Sequence, residues 1–216
     1  SLVGSEMCIR DSILLVLDIS SSMLADDFLP NRLEAVKETA MSFINNREED
    51  RIGILVFAGE SFIQCPLTID KSILKSLISE INVASKEYDG TAIGMAIANG
   101  TNRFRSSDVE SKVMILLSDG SNNSGEIDPI TAAELANQFG IKIYTIGAGT
   151  DQAYTKIPGR GLIVNEIDEI TLMKIADVTG GEYFRATDIK ALESIYLKID
   201  ELERSEIEVN EYTLYK

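Results

Sequence analysis

Asp18, Ser20, Ser22, Thr91 and Asp119 each stand where an apolar run gives way to a loop. Hydroxyl and carboxylate oxygens are hard donors, and magnesium takes oxygen ligands at roughly 2.0–2.1 Å while keeping several waters. Manganese and calcium accept the same donor class. Three of the five donors are neutral hydroxyls, so an ion held by this set keeps substantial positive charge. It still attracts an anionic oxygen from outside, such as a carboxylate on a protein partner. Each residue also has a plainer reading, because Ser, Thr and Asp are common at strand ends as caps and turn formers. Thr91 as a helix cap and Asp119 as a turn former are the clearest alternatives. The coincidence of all five at one predicted edge favours a shared cation site.

The edge follows from the elements. Ile13-Leu14-Leu15-Val16-Leu17 precedes Asp18, and Val113-Met114-Ile115-Leu116-Leu117-Ser118 precedes Asp119. Both read as strands buried on two faces. Thr91 lies in Asp89-Gly90-Thr91-Ala92, ahead of a helical stripe begun by Ile93, Ala96 and Ile97. In an open parallel sheet, loops leaving the carboxyl ends of the strands gather at one edge, so residues about a hundred positions apart converge there.

The remaining pattern alternates strands with helices, which predicts an α/β fold with a doubly wound, mostly parallel sheet and helices on both faces. Leu33, Val36, Ala40, Phe43 and Ile44 mark a helix, and Ile52 to Phe57 a further strand. The short turn Gly59-Glu60-Ser61 leads Phe62-Ile63-Gln64-Cys65 back antiparallel at the sheet edge, since so short a connection cannot join parallel neighbours. Asp70, Asp128 and Asp168 are placed to cap helices. Ile141 to Ile146 and Tyr183-Phe184 read as strands, and a last helix spans about 188–204. Pro158-Gly159-Arg160-Gly161, between apolar flanks in the long segment 150–166, reads as a hairpin tip. That segment is first a surface excursion and second a recognition element at the cation edge.

The chain has 216 residues, of which 44% are hydrophobic. That length buries roughly 70% of the unfolded surface and supports one domain. Twenty Lys and Arg against 35 Asp and Glu give a net charge of −15, which argues against nucleic acid or an anionic membrane surface as partner. The chain contains no histidine, which excludes a Ser-His pair, a His general base and a His-ligated zinc. Cys8 and Cys65 have no metal or redox spacing. No apolar stretch reaches the ~18 residues that cross a bilayer. Residues 1–11 read as a leader or foreign sequence, 12–205 as the domain, and 206–216 as a polar extension toward a membrane anchor.

Asp18-x-Ser20-x-Ser22, Thr91 and Asp119-Gly120 resemble the metal-ion-dependent adhesion site of von Willebrand factor type A domains, and the resemblance covers about residues 12–205. More narrowly, Asp18 to Phe28, Pro30-Asn31-Arg32-Leu33-Glu34-Ala35, Asp50-Arg51-Ile52-Gly53, Val56 to Glu60 and Gln64-Cys65-Pro66-Leu67-Thr68 resemble the bacterial BatA-type aerotolerance proteins. The BatB type shares many of these stretches. The resemblance implies magnesium bound through Ser20, Ser22 and Thr91, with Asp18 and Asp119 often acting through water. It also implies a parent anchored in the inner membrane, with this domain facing the bacterial envelope, on the periplasmic side. Many family members carry Gly at the position of Ser21, so the loop is expected to be slightly strained here.

Three functions compete. A non-enzymatic module binding a partner carboxylate through the ion fits the residues best. A magnesium-dependent phosphohydrolase is the alternative, since an Asp at a strand end can be a nucleophile. Yet Ser20 stands where a phosphatase of the haloacid dehalogenase type wants a second acid, and no Gly-rich phosphate loop with its Lys is present. The third is a structural domain with a vestigial metal site.

Overall fold

The structure is a computed structural model that describes residues 11–47, 50–105, 111–119, 122–150, 154–157, 159, 161–164 and 167–214. Met7 and Ile9 of the expected leader lie outside the described residues. Element order is β1 (Ser12–Asp18), α1 (Arg32–Asn45), β2 (Arg51–Phe57), β3 (Ser61–Thr68), α2 (Lys71–Ser79), α3 (Ile93–Phe104) and β4 (Lys112–Ser118). Then come α4 (Pro129–Gln138), β5 (Ile141–Ala148), β6 (Tyr154–Ile157), β7 (Gly161–Val164), α5 (Glu169–Thr179), β8 (Tyr183–Ala186) and α6 (Ile189–Leu214).

Six strands form one sheet in the order β3-β2-β1-β4-β5-β8. Only β3 runs antiparallel, paired to β2, as the short 58–60 turn requires. The apolar runs explain the centre of the sheet. Alternate residues of β1 point to opposite faces, and both faces are covered. Ile13, Leu15 and Leu17 pack with α1, α2 and α6, whereas Leu14 and Val16 pack with α3, α4 and α5.

Caps fix where the helices begin. The side chains of Asn31, Asp70, Asp128 and Asp168 accept backbone N–H groups at the starts of α1, α2, α4 and α5. Gly180, at φ 73°, supplies the left-handed residue that ends α5. The last helix runs to Leu214 rather than stopping near Arg204. Residues 205–214 contain neither Gly nor Pro, so their polar composition does not mark a break in the helix. Asp11, at the boundary of the expected leader, is buried, and its backbone carbonyl accepts the Arg51 N–H at 2.9 Å.

The chain leaves β1 toward β2 on one side and later returns to β4 on the other, so the carboxyl ends of β1 and β4 flank the point where strand order reverses. Crevices of this kind are where open α/β sheets bind ligands.

Candidate cation site

Asp18 ends β1 and is fully buried. Its Oδ1 accepts the Ser20 N–H at 2.8 Å, and its Oδ2 accepts the Ser118 hydroxyl at 2.7 Å, which joins the ends of β1 and β4. Ser20 is buried and Ser22 half-buried, in a turn that becomes a single 3-10 turn over Ser21–Leu24. The Ser20 and Ser22 hydroxyls lie 2.9 Å apart, and Ser22 donates to Asp119 Oδ1 at 2.7 Å. Because Ser22 commits its single proton to Asp119, Ser20 is the donor within the serine pair. Lone pairs on both hydroxyl oxygens remain to accept a cation.

Thr91 does not cap α3. The residue before that helix is Ala92, whose side chain makes no cap, and the Asn122 side chain accepts the Ile93 N–H at 2.8 Å. Thr91 is instead clasped by the loop after β4: its N–H donates to Asn123 Oδ1 at 2.9 Å, and its carbonyl accepts the Asn123 N–H at 3.0 Å. The residue is 3% exposed, and its hydroxyl makes no hydrogen bond to another described residue. Asp119 is likewise more than a turn former, since it reaches Ser22 and a buried arginine. Four of the five sequence-predicted residues thus form one hydrogen-bonded cluster, and the fifth sits on a loop tied to the segment that follows Asp119.

Several participants were not visible in the sequence. Arg32, 1% exposed, donates from Nη1 to Asp119 Oδ2 at 2.7 Å and grips Asp27 through Nε at 2.7 Å and Nη2 at 2.5 Å. Asp27 Oδ2 also accepts the Thr150 N–H and hydroxyl at 3.1 and 3.2 Å. Asp89 Oδ1 accepts the Ser21 N–H at 2.8 Å, and this replaces the expected strain: no described non-glycine residue has a positive φ, so Ser21 fits without a left-handed backbone. One sequence signal could have singled out Arg32. It is the first residue of α1, where the helix dipole disfavours a cation, so its charge had to be matched by acids from elsewhere.

The electrostatics follow from burial. Burial and then the nearby Asp119 push the Asp18 carboxyl up from 3.8 to about 7, against the hydrogen bonds from Ser20 and Ser118. Burial also raises Asp119, opposed by Arg32 and Ser22. At Asp27 burial acts upward too, but Arg32 and Thr150 outweigh it and hold the carboxyl below the usual range. Two buried acids beside two hydroxyls suit a divalent cation, which would offset their desolvation. Among the described residues no group of three or more Cys, Asp or Glu side chains is arranged to hold a metal ion.

β6 and β7 form the hairpin expected around residues 158–161, paired from Tyr154↔Val164 to Ile157↔Gly161. It is anchored beside the site by buried Ile157 and by the Asp26 N–H donating to the Lys156 carbonyl at 3.2 Å. Tyr154 and Leu162 are 59% and 74% exposed, among the most exposed large apolar side chains described.

With this geometry in place, the profile of the von Willebrand factor type A domain matches residues 12–198. The chain belongs to that family. Among solved structures, this von Willebrand factor type A domain is similar to the conserved hypothetical protein BatB of Bacteroides thetaiotaomicron. The identity is 30% and the TM-score 0.79, over 90% of this chain and 99% of that one. It is similar also to an aerotolerance-related membrane protein of Bacteroides fragilis, at 30% identity and TM-score 0.78, over 88% and 97% of the two chains. An uncharacterized protein of Borreliella burgdorferi is 31% identical over 94% of this chain and 63% of its own length. The chain spans 60% of a relative from Mycolicibacterium gilvum, so it covers under two thirds of such curated relatives. No helix among the described residues is long and apolar enough to cross a membrane.

Proposed function

We propose that this domain is a non-enzymatic interaction module in which Asp18, Ser20, Ser22, Thr91 and Asp119 hold a divalent cation that takes a carboxylate from a protein partner. One observation carries the reading: the Ser20-Ser22-Asp119 hydrogen-bond chain, beside fully buried Asp18, joins loops 97 residues apart. When bound, the ion supplies a Lewis-acidic position for an outside oxygen. Magnesium fits the donor set best, with manganese or calcium as substitutes. Asp18 and Asp119 supply charge, the two serines and Thr91 supply neutral oxygens, and the Asn122 and Asn123 side chains fix the Thr91 loop. The exposed face of the β6–β7 hairpin is a second contact for the same partner. The similarity to an aerotolerance-related membrane protein supports a place in the bacterial envelope, with the parent anchored in the inner membrane and this domain on the periplasmic side.

Magnesium titration of the whole 216-residue chain by calorimetry tests this. Heat of binding and a raised unfolding temperature are expected, and both should disappear in Asp18→Ala and weaken in Thr91→Ala. A magnesium response that survived both substitutions would place the ion elsewhere and end this reading.

A further inference from the structure

We propose, resting on the reading that the site holds a divalent ion, that Arg32 is its internal counter-ion. The guanidinium is a fixed positive charge, shared between Asp119 and Asp27, that limits the site's hold on the ion and keeps the ion receptive to an outside carboxylate.

The two oxygens of Asp119 are divided. Oδ2 accepts Arg32 Nη1 at 2.7 Å, while Oδ1 faces the serines and accepts Ser22 at 2.7 Å. Arg32 therefore sits directly behind a carboxylate whose front belongs to the site. Its charge cannot be titrated away, and at 1% exposure it is poorly screened by solvent. Nε and Nη2 grip Asp27 as a bidentate pair, and Asp27 is itself held by Thr150 on the loop leaving β5. Gly149 makes room for the fork: a Cβ there would lie 3.2 Å from Arg32 Nη2. A lysine could not make all three contacts at once, because it lacks the planar fork. Among the described groups that bond directly to Arg32 or to the Ser20–Ser22 pair, the ionised acids Asp18, Asp119 and Asp27 and one arginine leave two negative charges. A divalent ion balances these without being over-satisfied, and so retains affinity for one more anionic oxygen.

The test is magnesium titration calorimetry on the whole chain, with circular dichroism and thermal melts to establish folding. In Asp27→Asn/Arg32→Met the pair is removed with no change in net charge, and Asp119 loses its nearest counter-charge. Magnesium should bind on the order of tenfold tighter. Asp27→Asn alone keeps Arg32 and commits it to Asp119, so binding should weaken about threefold. That single variant is nearly isosteric and retains an acceptor for the Thr150 N–H, so it reports even if the double variant does not fold. If the double variant binds more weakly or unchanged, or if Asp27→Asn leaves the affinity unaltered, the counter-ion role is overturned while the ion site stands. If the unaltered chain takes up no magnesium, the ion site itself falls, and this inference with it.

Discussion

Replacing Asp18 by Asn should make the ion-free protein more stable, even though it removes a site residue. The Asp18 carboxyl is fully buried and raised from 3.8 to about 7, chiefly by burial and then by Asp119. For an acid raised on folding, the folded state holds its proton more tightly than the unfolded chain. The stability this group contributes is therefore fully present below the unfolded value, falls as pH rises from about 4 to about 7, and levels off above that window. At ~1.4 kcal/mol per pH unit, the full displacement corresponds to ~4 kcal/mol lost once the group is ionised. Asn keeps the oxygen that accepts the Ser20 N–H, and its amide can donate to Ser118, whose hydroxyl rotates to accept. Imperfect pairing there returns about 1 kcal/mol, leaving a net gain of ~3 kcal/mol near pH 8.

For a domain of this size, that gain raises the melting temperature by on the order of 10 °C. Differential scanning calorimetry in chelator, at about pH 4 and about pH 8, reads it directly: the two proteins should nearly coincide at the lower pH and separate at the higher. A variant less stable than the parent at the higher pH, or a gap independent of pH, would refute the account of Asp18 as a buried acid held at a cost.

Thr91→Ala should leave the ion-free melting curve within ~1 kcal/mol of the parent, because the hydroxyl bonds no described residue, while lowering magnesium affinity in a titration. Gly94→Ala should destabilise by about 2–3 kcal/mol and weaken magnesium binding together, since a Cβ there would stand 1.9 Å from the Ile127 carbonyl oxygen and must displace α3 from the loop that clasps Thr91. Denaturant unfolding measures the first effect and calorimetry the second. Arg47→Met should cost on the order of 3 kcal/mol in urea unfolding, because the buried Arg47 pairs with Asp50 and Asp200 at 2.7 Å and its loss strands those acids near Asp11.

The layout was readable where local pattern and burial agree. The runs in β1 and β4 are apolar on both faces because both faces are covered, and the short 58–60 turn left β3 no choice but to reverse. The meeting of Asp18, Ser20, Ser22 and Asp119 was readable because they stand at or just beyond the carboxyl ends of β1 and β4, two strands whose apolar runs read as neighbours in one sheet. Arg32 was not, because its partners Asp27 and Asp119 come from two loops and only the folded chain brings three carboxylate oxygens around one guanidinium. Ser118 escaped notice for a related reason: as the last residue of an apolar run it read as strand, and its hydroxyl matters only because β4 lies beside β1. The length of α6 was not legible because a polar helix and a polar loop share a composition.

Asp18 closes β1 at one end of the fold, while Ser12 and the far part of α6 lie at the other, where Glu203 meets Lys142 and Tyr144 at the start of β5. Tension between the crevice and the opposite end of the sheet would run lengthwise along β1. That strand is laced to β2 from Ser12 to Asp18 and to β4 from Ser12 to Leu17. A load along this axis would meet those two ladders in shear, all their hydrogen bonds together, instead of unzipping them one by one.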